Sequence, residues 1–156
     1  MNDVLVHKTA IFTLPDLVKL SSHISIDPFV YMTTEAEIGN WVHIGSHVSV
    51  IGGKESKLTI GNYVAISTGC RLICRSDDFN KKGIAIPFAK DVERHLYGSF
   101  ITIKDKVILG ANVVVLPDVT IGEGAVVGAN SLVKTDLDAW GIYAGTPAKK
   151  IGERHD

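Results

Sequence analysis

Fifteen aliphatic residues recur at six-residue intervals along the chain. The series runs Leu20, Ile26, Met32, Ile38, Ile44, Val50, restarts as Ile60, Ile66, Leu72, and restarts again as Ile103, Leu109, Val115, Ile121, Val127, Val133. Glycine follows the beat at Gly39, Gly45, Gly61, Gly110, Gly122 and Gly128. Four places past the beat the residue is small or aliphatic: Val42, Val48, Val64, Cys70, Val107, Val113, Val119, Ala125 and Ser131. Neither an α-helix nor a simple strand has this period. A six-residue apolar repeat predicts a parallel β-helix, each hexad a short strand plus a corner, with the beat residue pointing inward. Gly or Asn is expected to relax the corner backbone. Three hexads make one triangular coil, so about five coils are expected: two before residue 56, one at 60–77, and two or slightly more from 103 onward.

Two stretches break the beat. Residues 51–59 contain Gly52, Gly53, Lys54 and Glu55 and read as a small loop. Residues 76–100 carry Asp77, Asp78, Lys81, Lys82, Lys90, Asp91, Glu93 and Arg94, with Phe79, Phe88 and Tyr97. A long charged loop thrown out from a rigid scaffold reads as functional. Residues 1–19 precede the beat and are expected to cap the open end of the solenoid, as terminal repeats require. The solenoid is expected over 20–142 and a C-terminal tail with a Gly/Pro turn over 143–156, all within one domain.

The 156 residues fit one domain, and the 46% hydrophobic content is enough for a core. A net charge of −1, with no polybasic stripe, argues against nucleic acid as a main partner. The longest aliphatic run is far too short for membrane insertion, and the N-terminus lacks a signal-peptide layout, so a cytoplasmic protein is expected. Cys70 and Cys74 lie four residues apart with no second Cys/His pair at ligand spacing, and read as packed free thiols rather than a metal site.

Three segments carry a family likeness: residues 101–117 with Gly110-Ala111-Asn112, residues 119–133 with Gly128-Ala129-Asn130-Ser131, and the closing Gly145-Thr146-Pro147-Ala148-Lys149. Through them the chain resembles the hexapeptide-repeat acyltransferases over about residues 20–152. The stretches Ser67-Thr68-Gly69-Cys70-Arg71 and Ser76-Asp77-Asp78-Phe79 are similar to a subgroup of sugar O- or N-acetyltransferases of surface-polysaccharide biosynthesis. The resemblance implies a left-handed coil, against the usual right-handed crossover. It also implies a homotrimer with active sites between prisms, acetyl-CoA as donor without a metal, and a sugar acceptor, free or nucleotide- or lipid-linked.

The same likeness places the pantetheine arm along Ala111, Gly128, Ala129 and Ser131, where small side chains permit close approach, and the phosphate end near Lys134, Thr135, Lys149 and Lys150. Acyl transfer needs a proton acceptor for the attacking group and a donor for the oxyanion. Many relatives carry a histidine at the start of the long loop; this chain has Asp77 beside Asp78. The candidates for catalysis are therefore His43 and His47, whose imidazoles suit a base near neutral pH, and Asp77 or Asp78, only one of which faces a pocket in an extended chain. An aspartate alone would orient an amine, favouring N-acylation; a histidine would favour O-acylation. Phe79, Arg94 and His95 are candidates for acceptor contact. For each of these residues a plain surface or turn role is the competing reading. Two other readings of the chain stay open: a trimeric metal-dependent β-helix using histidine ligands, as in γ-type carbonic anhydrases, and a non-catalytic solenoid.

Overall fold

A computed structural model describes residues 3–83 and 94–155. Phe88, Lys90, Asp91 and Glu93 of the long insertion lie outside the described residues. The described residues form short strands and turns with almost no helix, wound as a left-handed parallel β-helix of about six turns. The first sheet stacks Val4–Val6, Ile24–Ile26, Val42–Ile44, Ala65–Ile66, Ile108–Leu109, Val126–Val127 and Gly141–Gly145. The second stacks Ile11–Phe12, Tyr31–Met32, Ser49–Ile51, Arg71–Ile73, Val114–Val115 and Leu132–Val133. The third stacks Val18–Leu20, Glu35–Ile38, Lys57–Ile60, Phe100–Ile103 and Val119–Ile121. Each coil hydrogen-bonds the next through its backbone, as in Tyr31 N–H to Val48 O (3.0 Å), Ser49 to Cys70 (3.0 Å) and Arg71 to Val113 (2.9 Å).

The beat residues fill the prism. All but Leu20, at the N-terminal end, are at most 2% exposed, and so are all nine small or aliphatic residues four places further on. Burying a column of Ile, Leu and Val is what orders strands of only two to four residues. Leu72 is fully buried in the second sheet's inner column. Leu72→Ala is expected to lower the unfolding free energy by about 2–5 kcal/mol in chemical denaturation.

Register explains both interruptions. Ile103 pairs with Ile121, 18 residues on, whereas Ile38 pairs with Ile60 across 22 and Ile60 with Ile103 across 43. The first loop therefore adds four residues to one coil and the second adds 25, and both leave from the corner between the second and third sheets.

The structure revises the sequence reading in two places. The N-terminal segment closes the end by contributing a strand to every sheet, which gives one turn more than the beat counts. Val4 pairs with Ile24, Phe12 with Met32 and Leu20 with Ile38. A 3-10 turn at Pro15–Leu17 shifts this coil off the six-residue beat. The glycines after the beat also have a different reason from the one expected. Their φ is not positive; the left-handed slot is three residues before the beat, where Gly69, Gly124, Asn112 and Asn130 do relax the corner, and where His23, Phe29, Trp41, His47, Tyr63, Lys106 and Asp118 also sit, the non-glycines at φ of 56–63°. Such residues cost roughly 1–2 kcal/mol each outside this setting, and the stacked coils hold them there. Gly39 is needed for closeness: a Cβ there would sit 2.5 Å from Gly61 O on the next coil.

The three outer faces differ. The third sheet turns Lys19, Glu35, Glu37 and Lys57 to solvent, joined as Lys19–Glu37 (3.1 Å), Lys57–Glu37 (2.9 Å) and Lys57–Glu35 (3.3 Å). The first and second sheets turn out Leu5, Ile11, Tyr31, Ile108, Val114, Val126 and Leu132 among their outward residues.

Candidate functional site

The corner between the first and second sheets forms a continuous row of small and polar residues. From coil to coil it reads Asp27-Pro28-Phe29, Gly45-Ser46-His47, Ser67-Thr68-Gly69, Gly110-Ala111-Asn112 and Gly128-Ala129-Asn130. The coils approach closely here: a Cβ on Gly110 would lie 2.7 Å from Ala129 N, and one on Gly45 would lie 2.8 Å from Thr68 N. Ser46 and Thr68 hydroxyls are 3.1 Å apart, and the Asn112 amide donates to Asn130 Oδ1 at 3.3 Å. Arg71 straps the row from the second sheet, donating to His47 O (2.8 Å) and Gly69 O (2.6 Å). The His47 ring rests against Phe29, centroids 5.0 Å apart.

At its C-terminal end the row meets the tail, which is a hairpin: Ala148–Glu153 runs antiparallel to Gly141–Gly145. Ser131, expected to line the cofactor path, is 1% exposed, and its hydroxyl accepts from Gly145 N–H at 3.0 Å. That residue pins the hairpin to the row instead of offering a side-chain surface. Ala129 is exposed, and Ala111 and Gly128 are half-buried. Lys149 and Lys150 stand on the hairpin, Lys150 paired with Glu153. Lys134 and Thr135 follow the last second-sheet strand and lie on a different corner from the row.

A second constellation sits where the two insertions leave the coil. A pocket of about 380 Å³ is bounded by Thr33, Gly52, Gly53, Arg75, Asp77 and Arg94. Arg75 links the insertions by pairing with Glu55. The adjacent aspartates part company here. Asp77 lies in the short antiparallel pair Ser76–Asp77 with Leu96–Tyr97. Arg94 grips its carboxylate with both ends of the guanidinium, Nε to Oδ1 at 2.6 Å and Nη2 to Oδ2 at 3.1 Å. That hydrogen-bonded guanidinium holds the Asp77 carboxyl below the usual carboxylate range. A depressed carboxylate favours the folded state at neutral pH, and this contribution disappears as pH falls through the lowered pKa. Asp78 instead opens a turn, its Oδ1 accepting from Asn80 N–H at 3.0 Å. Phe79 is 88% exposed beside it. His95 accepts from Asp78 N–H through its backbone carbonyl at 2.8 Å.

The first sheet's outer face carries a third group. His43 Nε2 lies 3.0 Å from Asp27 Oδ2, a pairing sixteen residues apart in sequence. Neither Asp27 nor Ser67 is picked out as a site residue by the sequence. His23, Trp41 and Tyr63 form a parallel ring ladder on the neighbouring corner. Among the described residues no three His, Cys, Asp or Glu side chains converge as a metal cluster. Both cysteines are buried and free. Cys70 donates to Gly110 O at 3.1 Å, and burial pushes the Cys74 thiol up to about 12, so neither offers a thiolate near neutral pH.

Known proteins match this architecture closely. The family described as bacterial transferase hexapeptide (six repeats) matches residues 100–135. The dTDP-4-amino-4,6-dideoxy-D-glucose acyltransferase of Escherichia coli is 32% identical over 142 residues, covering 89% of this chain and 73% of that protein. A protein of Escherichia coli K12 described as a lipopolysaccharide biosynthesis O-acetyl transferase is 33% identical over 122 residues, 78% of this chain and 59% of its own length. The N-acyltransferase AntD of Bacillus cereus, solved with dTDP-4-amino-4,6-dideoxyglucose and coenzyme A, superposes with a TM-score of 0.93 at 30% identity, over 99% of this chain and 82% of that one. Solved forms of AntD carry substitutions at one serine and at one aspartate ten residues later. With its six-residue beat, its coil and these relatives, the chain belongs to the hexapeptide-repeat acyltransferases.

Proposed function

We propose that this enzyme transfers an acetyl group from acetyl-CoA to the amine of a nucleotide-linked amino sugar destined for a cell-surface glycan. The observation that carries this reading is the Asp77–Arg94 pair, which stands at the loop start where a base would be needed for a hydroxyl acceptor. A carboxylate held in its ionised form by a guanidinium is a poor base and a good partner for N–H groups. The AntD serine and aspartate ten residues apart have a counterpart spacing in Ser67 and Asp77 of this chain. In the reaction the neutral amine attacks the thioester carbonyl, the C–N bond forms and the C–S bond breaks. Coenzyme A leaves as the thiol with the proton the amine gives up. Asp77 orients the amine, Ser67 donates to the developing oxyanion, and the row through Ala111, Gly128 and Ala129 carries the pantetheine arm, with Lys149 near the phosphates.

Ser67 and Asp77 lie on different corners of their own prism, so one copy supplies the row and a neighbour supplies Asp77. The outer faces support a homotrimer: the third sheet carries the ion pairs, while the later coils of the other two present Ile108, Val126, Val114 and Leu132, which need a partner. Val114→Asp is expected to convert trimer to monomer in sedimentation. Coenzyme A and nucleotide sugars are cytoplasmic metabolites, which places the enzyme there. A second reading, O-acetylation with His43 as base, draws on the Asp27 contact that orients its ring.

The deciding assay supplies acetyl-CoA with a dTDP-linked amino sugar or its hydroxyl counterpart and follows products by mass. The proposal expects acylation of the amine, with kcat/KM rising with pH as the amine loses its proton. Acylation of the hydroxyl compound alone, abolished by His43→Ala, would establish the second reading.

A further inference from the structure

The first sheet's outer face holds a groove of about 610 Å³, within the size range of small-molecule sites. Its floor is low: Ser25 and Ala65 point outward on neighbouring strands, with His43 between them. One wall is aromatic. Trp41 stacks on His23 (centroids 3.9 Å, planes 10° apart) and runs parallel to Tyr63 (6.5 Å, 8°). Trp41 and Tyr63 nevertheless remain 53% and 59% exposed, although each sits in a left-handed backbone slot. Solenoid packing does not need aromatic rings there, since Lys106 fills the same slot one coil later.

The groove and the candidate site share one strand: Ala65 lines the groove and Ser67 follows Ala65–Ile66. Tyr63 and Ser67 bracket the strand Ala65–Ile66, and four residues of extended chain span roughly 13 Å. We infer that this groove holds the nucleotide half of the acceptor: a pyrimidine base against Trp41 and Tyr63, and the diphosphate crossing Ala65 and His43. The sugar amine then reaches Ser67. His43 keeps Nε2 on Asp27, which leaves Nδ1 for a phosphate oxygen. This rests on the nucleotide-linked acceptor proposed above, and it names the residues that select for the nucleotide, which the acyl donor does not touch.

The test is calorimetric titration of the intact protein with dTDP and, separately, with coenzyme A. Tyr63→Ala and Trp41→Leu are expected to weaken dTDP binding about tenfold or more each, the ordinary effect of losing a stacked ring, and to leave coenzyme A binding unchanged. Tyr63→Phe retains the ring and is expected to bind dTDP as the wild type does. Both rings are more than half exposed, so their truncation leaves the core intact. Undiminished dTDP binding in both truncations would overturn the inference while sparing the nucleotide-sugar reading. Wild-type protein that binds coenzyme A but not dTDP would overturn both the inference and the nucleotide-linked acceptor, leaving acyl-CoA chemistry standing.

Discussion

Asp77→Ala is expected to lower kcat/KM for the amino-sugar acceptor by about a hundredfold. Hydrogen bonds to a charged group are worth about 1.5–3 kcal/mol, and the substitution removes the acceptor's anchor together with the charge that Arg94 was matched to. Asp77→Asn is expected to fall nearly as far, because the amide keeps the shape and loses the charge. Coenzyme A affinity is expected to be unchanged in both, as the proposed role of Asp77 is to hold the acceptor amine and not the pantetheine arm. Arg94→Ala is expected to give a smaller loss and to add little to Asp77→Asn, since residues that act through one contact are not additive. Steady-state kinetics with each substrate varied in turn separates these effects. An unchanged kcat/KM in Asp77→Ala would remove the carboxylate from the mechanism.

The second large effect is on the donor. Ala129 is exposed at the point where the row narrows, its backbone 2.7–3.1 Å from where a Cβ on Gly110 would be. Ala129→Trp places an indole across the path of an extended pantetheine arm. Coenzyme A binding is expected to fall below calorimetric detection, more than a hundredfold, with thermal unfolding unchanged because the side chain faces solvent. Retained binding would move the donor off this corner.

The solenoid was legible because its core is periodic. Ile26, Ile44, Ile66, Leu109 and Val127 form one buried column of the first sheet, and each stands on the six-residue beat. The first coil was missed for a local reason: the 3-10 turn at Pro15–Leu17 spends two extra residues, so Val6 and Phe12 fall out of phase with Leu20. The glycine reading went astray because sequence shows that a side chain is excluded and not why; at Gly39 the reason is the carbonyl of Gly61. Of the candidate site, the small-residue row follows from counting hexads. The partners of its charged groups do not. Arg94 meets Asp77 only because Leu96–Tyr97 turns back on Ser76–Asp77, and Asp27 meets His43 diagonally between adjacent coils. Ser67 lay within a recognised motif, but nothing local distinguishes its hydroxyl from those of Ser46 and Thr68 on the same corner.

The central claim is that each site joins the row of one copy to the Asp77 of the next. Co-expressing Ala129→Trp and Asp77→Asn chains tests it directly, because each variant alone is inactive for a different reason. Random mixing in a trimer with sites between neighbours restores about one quarter of the sites, each with an intact row from one copy and an intact aspartate from the other. Acyl transfer is expected to recover to about that fraction of wild type. Activity no higher than that of the separate variants, in trimers shown to contain both chains, would contradict it.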